Sequence, residues 1–479
     1  MKKLATIALL ALAVACRKEL PVSTTDTTSS TSTTSTTVTT ATTSTTPTST
    51  APPAAGPAIV LSSSIPGDAQ FGALPPNATN AQKLLDIQGD FDIYSWNSFI
   101  ALNWPPGPDG NADPKKTIGQ NGDNDTVWEH YRDVADIFLP GGATPTWKGP
   151  EPNVPAECKV DYTPGMRIIS QVGKTPTVLT DFSQPFNTGP LIDQNGVYTR
   201  YEILVNKPMF DYILSNALYS KAGQKGFAGA VKFPCGVLNG VEGAIMVKSS
   251  WKVIDAADKG RFHSEQVLVY TQASQNPKYP ASCSKQLMGL VGLHIGHKTN
   301  SGAQWLWSTF EHIDNAPSEE DVKSGKLKAK YNYYNAKCTA ATCPPNAVPP
   351  RPWVPNQVSS FHSQVVRMNM FKGNEFAFTS ATARNADALK LLVGVNPNSV
   401  WQNYELISTM WPTATGQCQA TPGIPLGNPA PTFLANTTLE TYIQGMVPNV
   451  SSNCIECHNN ATMTTPVPSD FTYVLQRAK

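Results

Sequence analysis

Apolar residues first recur at helical spacing after Pro66. A helix is predicted over 81–88, and a second with Asp90 as its N-cap, Ile93, Trp96 and Ile100 on one face, and Trp104-Pro105-Pro106 as its stop. Further helices are predicted over 126–137, 208–218 and 386–393. From residue 197 the period drops to two. Residues 197–205 alternate, as do 241–253, where Val241, Ile245, Val247, Trp251 and Val253 are set against Glu242, Met246, Lys248 and Lys252. Such alternation predicts strands with one buried face. Segments 267–272, 286–294 and 304–312 continue the series, joined by Gly, Asn, Ser and Pro clusters at hairpin spacing. The expected class is α+β, a mainly antiparallel sheet with covering helices and long loops. No internal repeat is evident.

Composition explains the loops and narrows the partners. Of 479 residues only 15% are charged, while Gly and Pro supply 33 and 41 positions. With 36 basic and 35 acidic residues the net charge is +1, so no field draws nucleic acid or an anionic membrane surface as the main partner. Residues 107–124 form a loop rich in Gly, Asp and Asn, but they lack the strict alternation of a calcium loop, and a solvated loop is the preferred reading.

The N-terminus reads as an address. Met1-Lys2-Lys3 precedes an apolar run over 4–15 that is too short to span a bilayer and ends in Leu12-Ala13-Val14-Ala15-Cys16. This stretch resembles the bacterial lipobox, in which the Cys is acylated and becomes the mature N-terminus; an ordinary export signal with an incidental Cys16 is the alternative. Arg17, not Asp, follows, which by the same resemblance implies the outer membrane. Residues 17–60 continue as a tether, composed over 23–50 almost entirely of Ser and Thr, which cannot bury enough apolar surface to order the chain. The expected organisation is a signal over 1–16, the tether over 17–60, an α+β domain over 61–435 and a haem-attachment segment over 436–479.

That last assignment rests on Asn453-Cys454-Ile455-Glu456-Cys457-His458, the CxxCH spacing of c-type haem attachment. Two thiols separated by two residues suit the two vinyl groups on one haem edge, and the adjacent His458 then presents its imidazole to the iron as proximal ligand. A redox or disulfide CxxC and a zinc site are weaker readings, since only one such pair is present and His458 adjoins it. Setting aside Cys16, Cys454 and Cys457, six of the nine cysteines remain, enough for three disulfides in an oxidising compartment. Cys338 and Cys343 are close enough to staple the loop before Pro344; the other pairings are not readable from sequence.

Only 21 residues follow His458, too few for an ordinary small cytochrome domain, so the segment must complete its pocket on the preceding domain, introduced by a helix over 438–444. Met463 is a weak candidate for the distal side of the iron, because a link of five residues keeps it near the proximal face. The better candidates are His294, His297 and His312 at strand ends. Positions three apart in a strand point to opposite faces, so His294 and His297 do not share one metal. The segment 294–297 is favoured because the preceding run 287–293 reads as a buried strand in which Gly289 and Gly292 would let a flat macrocycle approach the backbone; which of its two His is the ligand depends on which strand face is covered. For each His, a hydrogen-bonded structural role is the competing reading. Trp305, Trp307 and Phe310 either flank a redox path or form aromatic core, the latter preferred.

The stretch Asp92-Ile93-Tyr94-Ser95-Trp96-Asn97-Ser98-Phe99-Ile100-Ala101-Leu102-Asn103-Trp104-Pro105, residues 292–315, and the terminal CxxCH with Ser469-Asp470-Phe471 together resemble a group of bacterial exported proteins of the cytochrome c family. The resemblance covers most of residues 80–479 and implies one covalent haem c, without a substrate. Three functions are weighed: a lipid-anchored monohaem cytochrome passing electrons to redox partner proteins in the periplasm or at the cell surface; a peroxidase-like haem oxidoreductase whose large domain forms a pocket; and a surface binding protein with a structural haem.

Overall fold

The computed structural model describes residues 56–120, 125–147, 154–170, 189–368, 373–414, 418, 428–444 and 453–479. The predicted signal and nearly all of the predicted tether, with Cys16, lie outside the described residues.

In chain order the elements are α1 (Asn80–Leu102), β1 (Arg132–Asp133), β2 (Ile168–Ile169), β3 (Arg200–Val205), α2 (Lys207–Ser215), α3 (Lys221–Gly226), β4 (Ile245–Val253), β5 (Ser264–Thr271), β6 (Ser274–Gln275), β7 (Lys278–Tyr279), β8 (Ser282–His297), β9 (Leu306–His312), α4 (Glu319–Ser324), α5 (Glu375–Val395), β10 (Tyr404–Pro412), β11 (Pro429–Ala430) and α6 (Cys454–Asn459). The class is α+β. Nine strands form one sheet in the order β1-β3-β4-β8-β9-β10-β11, with β5 also paired to β8 and β2 to β5; every ladder is antiparallel except β2–β5. The 16-residue β8 is its spine: its first half pairs with β5 and its second half with β9, while β4 runs along the other edge.

Strands placed from the period-two pattern fall within a few residues of where expected, except that β4 starts at Ile245 and leaves Val241 exposed; the sheet departs from the one-face expectation because both faces are covered. On one face α1 and α5 pack Trp96, Phe99, Ala388 and Leu392 against Val247, Trp251, Leu293, Ile295 and Phe310. The other face is closed by α2 and the C-terminal segment, which bring Met209, Phe210, Ile455, Met463, Phe471, Val474 and Leu475 onto Ile203, Met246, Trp307 and Met410. Two covered faces leave little room for solvated strand positions, so Ser249, Ser250 and Thr309 are buried alongside the apolar residues.

Three helix expectations change. The segments 81–88 and 90–100 are one helix: Thr79 is the N-cap, its hydroxyl accepting from the Gln82 amide, and Asp90 lies within the helix, where its carboxylate accepts from the Gly72 amide at 2.9 Å. Residues 126–137 form two 3₁₀ turns, Val127–His130 and Val134–Asp136, around the two-residue β1, because pairing with Leu204 and Val205 at the sheet edge outweighs the local helical pattern. Of 438–444 only Thr441–Ile443 is helical, as a 3₁₀ turn. Besides the two-residue strands β1, β2, β6, β7 and β11, β10 has no counterpart in the period-two pattern. Its bulge between Leu406 and Ser408 reverses the parity of the strand: Tyr404 and Leu406 lie in the core under α1, whereas Met410, an even number of positions on, lies in the opposite core, and this breaks the alternation.

Disulfides join Cys158 to Cys283, Cys235 to Cys418 and Cys338 to Cys343, the last being the expected staple. No helix among the described residues is long and apolar enough to cross a membrane. In the 107–124 loop, Asp109 accepts from the Asn111 amide and Asp113 from the Lys115 amide; residues 121–124 lie outside the described set.

Candidate functional site

Helix α6 is a little over one turn long, held at its start by Asn453, whose side-chain oxygen accepts from the Glu456 amide at 3.0 Å. At about 100° per residue, Cys454, Cys457 and His458 project within an arc of roughly 100° on one side of this turn. Ile455 anchors the turn, 2% exposed in the apolar cluster beneath. Both thiols are partly exposed and stand outside the three disulfides.

The chain after α6 turns back on it. Met463 and Val467 close a hairpin through a 2.9 Å amide bond, and the Ser469 amide donates to Ala461. The returning strand then clasps the site: Tyr473 donates its hydroxyl to the Cys457 carbonyl at 2.8 Å, and the Phe471 carbonyl accepts from Nδ1 of His458 at 2.8 Å. A proton on Nδ1 assigns the lone pair of the neutral imidazole to Nε2, the form an imidazole needs to ligate a metal. The ring is further fixed by Trp307, 4.2 Å away between centroids, and by Tyr473 at 5.4 Å. Trp307 therefore touches the site, whereas Phe310, three positions on, faces α1 and stacks on Phe99 at 4.4 Å as core.

Strand parity sorts the distal candidates. His294 lies opposite Thr309 and shares the Trp307 face; its Nε2 meets Glu440 at 2.9 Å and its Nδ1 meets the Thr309 hydroxyl at 3.0 Å. His297 lies on the α1 face, bonded to the Tyr94 hydroxyl and the Glu242 carbonyl. His312, also on that face, donates to the Arg261 carbonyl at 2.9 Å, accepts from the Asp314 amide and stacks on Phe262 at 4.1 Å. Burial pulls both of these imidazoles down to about 4, so they are neutral and structural. The sheet thus separates His297 and His312 from α6, and only His294 shares its side. Met463 is 2% exposed within the apolar cluster, which is a packing role.

The two glycines admit protein, not a macrocycle. A Cβ on Gly292 would collide with the Thr438 hydroxyl and lie 2.9 Å from the Asn436 amide oxygen, because the 436–440 turn crosses the strand there. At Gly289 a Cβ would meet Ile254 and Phe262.

Three contributors were not legible in the sequence. Glu440 reaches His294 across 146 positions. Lys248, paired with His294 between β4 and β8, is pulled down to about 8 by burial, although Cys454 nearby works the other way. The Phe471 carbonyl carries no side-chain signal at all. On the α1 face, Arg167 is bound by Glu129, Glu202 and Glu265, with His263 on Glu129 at 3.1 Å. Among the described residues no group of three or more His, Cys, Asp or Glu is arranged to hold a bare metal ion. No family model, no curated protein and no solved structure matches this chain.

Proposed function

We propose that the chain is an exported monohaem c-type protein that transfers electrons, with the haem bound through Cys454 and Cys457 and with His458 as proximal ligand. The observation that carries this reading is the single helical turn presenting both thiols and an imidazole on one side, with the Nδ1 proton of His458 committed to the Phe471 carbonyl. Haem would supply one-electron redox chemistry; the chain's residues hold it, orient the imidazole and wall off one side with Trp307. On a denaturing gel of protein made with haem-attachment machinery, haem-peroxidase stain is expected to stay on the protein band and to vanish in Cys454→Ser/Cys457→Ser. A wild-type band without stain overturns the proposal.

Electron transfer with two protein ligands leaves His294 as the distal donor, which must then exchange Glu440 for iron. The ferric spectrum is in that case low-spin and becomes high-spin in His294→Ala. A second reading is favoured by the engagement of His294 with Glu440 and Thr309: the sixth position stays open and the protein acts as a haem oxidoreductase on a small molecule. A wild type that is already high-spin and binds carbon monoxide selects it.

The lipobox-like stretch supports anchoring through an acylated Cys16 in the outer membrane, with the tether providing reach. Cys16→Ser is expected to move the protein from the membrane fraction to the soluble periplasmic fraction; unchanged fractionation excludes this anchor.

A further inference from the structure

The last turn before Tyr473 is built against local preference. Asp470 and Phe471 have φ of 53° and 61°, successive side-chain-bearing residues in the left-handed region, where Asp is tolerated and Phe is an outlier. The device that holds them is buried. The Asp470 carboxylate accepts from the Phe233 amide at 2.7 Å and from the Lys298 ammonium, and both side chains of this ion pair are 1% exposed. Lys298 is rigid in turn, its amide donating to Ala244 and its carbonyl accepting from Gly236. The carbonyl that follows this pinned pair is the one that receives the His458 Nδ1 proton. A second connection leads to the same ring: Trp305, with φ of 68°, packs on Phe233 at 6.1 Å and on Trp307 at 6.2 Å, and Trp307 lies 4.2 Å from His458.

We propose that the buried Lys298–Asp470 ion pair is a positioning device for His458: it holds the Asp470–Phe471 turn so that the Phe471 carbonyl faces Nδ1 and sets the donor strength of the proximal imidazole. The consequence for redox chemistry rests on the haem reading; the positioning itself does not. A buried ion pair adds little net stability over an apolar pair of similar volume, so one that pins two unfavourable backbone conformations at a carbonyl acceptor is better explained by geometry. Acceptance of the Nδ1 proton makes the imidazole a stronger donor and favours ferric over ferrous iron.

The test uses the full chain with Lys298→Met and with Asp470→Ala. In protein made without haem-attachment machinery and labelled with ¹⁵N-histidine, wild type is expected to show a slowly exchanging Nδ1 proton on His458, and both variants to lose it. In haem-loaded protein the variants are expected to keep the wild-type content of covalent haem while the reduction potential rises by about 59 mV, the equivalent of a tenfold loss of preference for the ferric state. Should the single variants fail to fold, Lys298→Met/Asp470→Leu removes both buried charges together and is expected to fold yet still lose the protected proton. Folded variants with a protected Nδ1 proton and an unchanged potential overturn the proposal and leave the pair a purely structural one. A wild type without haem overturns the haem reading alone, because the haem-free measurement still decides the positioning.

Discussion

Asp92→Asn is expected to make the protein more stable than wild type at about pH 8, by up to about 3 kcal/mol, and to leave it unchanged near pH 4. Asp92 sits between α1 and the sheet with no exposure, and burial raises its carboxyl to about 6 although Ser380, Thr409 and Gln88 all donate to it. A carboxyl that holds its proton more tightly in the folded state than in the unfolded one contributes stability below its ordinary value of 3.8, and that contribution is lost as pH rises through about 6. The carboxamide reproduces the neutral form. Its oxygen can accept from the Thr409 amide and Gln88, and its NH₂ group can donate to the Ser380 hydroxyl after a rotation of that group. Urea unfolding at the two pH values measures the effect. An equal offset at both would show that Asp92 is ionised in the folded protein throughout.

Arg167→Met is expected to cost about 3–5 kcal/mol, since removing one partner of a buried charge network strands the rest. The guanidinium donates to Glu129 at 2.5 Å and also to Glu202 and Glu265, and lies 5.3 Å from the Trp251 ring and 5.8 Å from that of Trp128. Burial works to raise Glu129, yet His263 and Arg167 hold it well below the ordinary carboxylate value, while Glu265 is raised because burial and its neighbouring carboxylates outweigh Arg167. Without Arg167, three carboxylates face His263 alone, and Glu265 and Glu202 must take up protons to remain inside. The variant is therefore expected to recover part of its loss on acidification toward about pH 5, where unfolding by urea at two pH values reads it. Arg167→Lys keeps the charge but not the fork and is expected to fall between the two. A loss below about 1 kcal/mol for Arg167→Met would mean that the carboxylates are already neutral in the folded protein.

What the sequence determined by itself is whatever is written in neighbours. Strands β3, β4, β5, β8 and β9 were legible because side chains alternate with a period of two whatever the rest of the chain does. The same parity separated His294 from His297, and the spacing of Cys454, Cys457 and His458 defined the candidate site within five residues. Only the tertiary structure decided which strand face meets which element, because the α1 and α6 segments that cover them lie hundreds of positions apart in the chain and no local period encodes the pairing. It turned His297 and His312 toward α1 and left His294 facing Glu440. It also closed Gly292 with the 436–440 turn and supplied the Phe471 carbonyl through an ion pair between Lys298 and Asp470, 172 positions apart. Main-chain acceptors and buried charge partners of this kind are made by long-range packing, so no residue type at either end announces them.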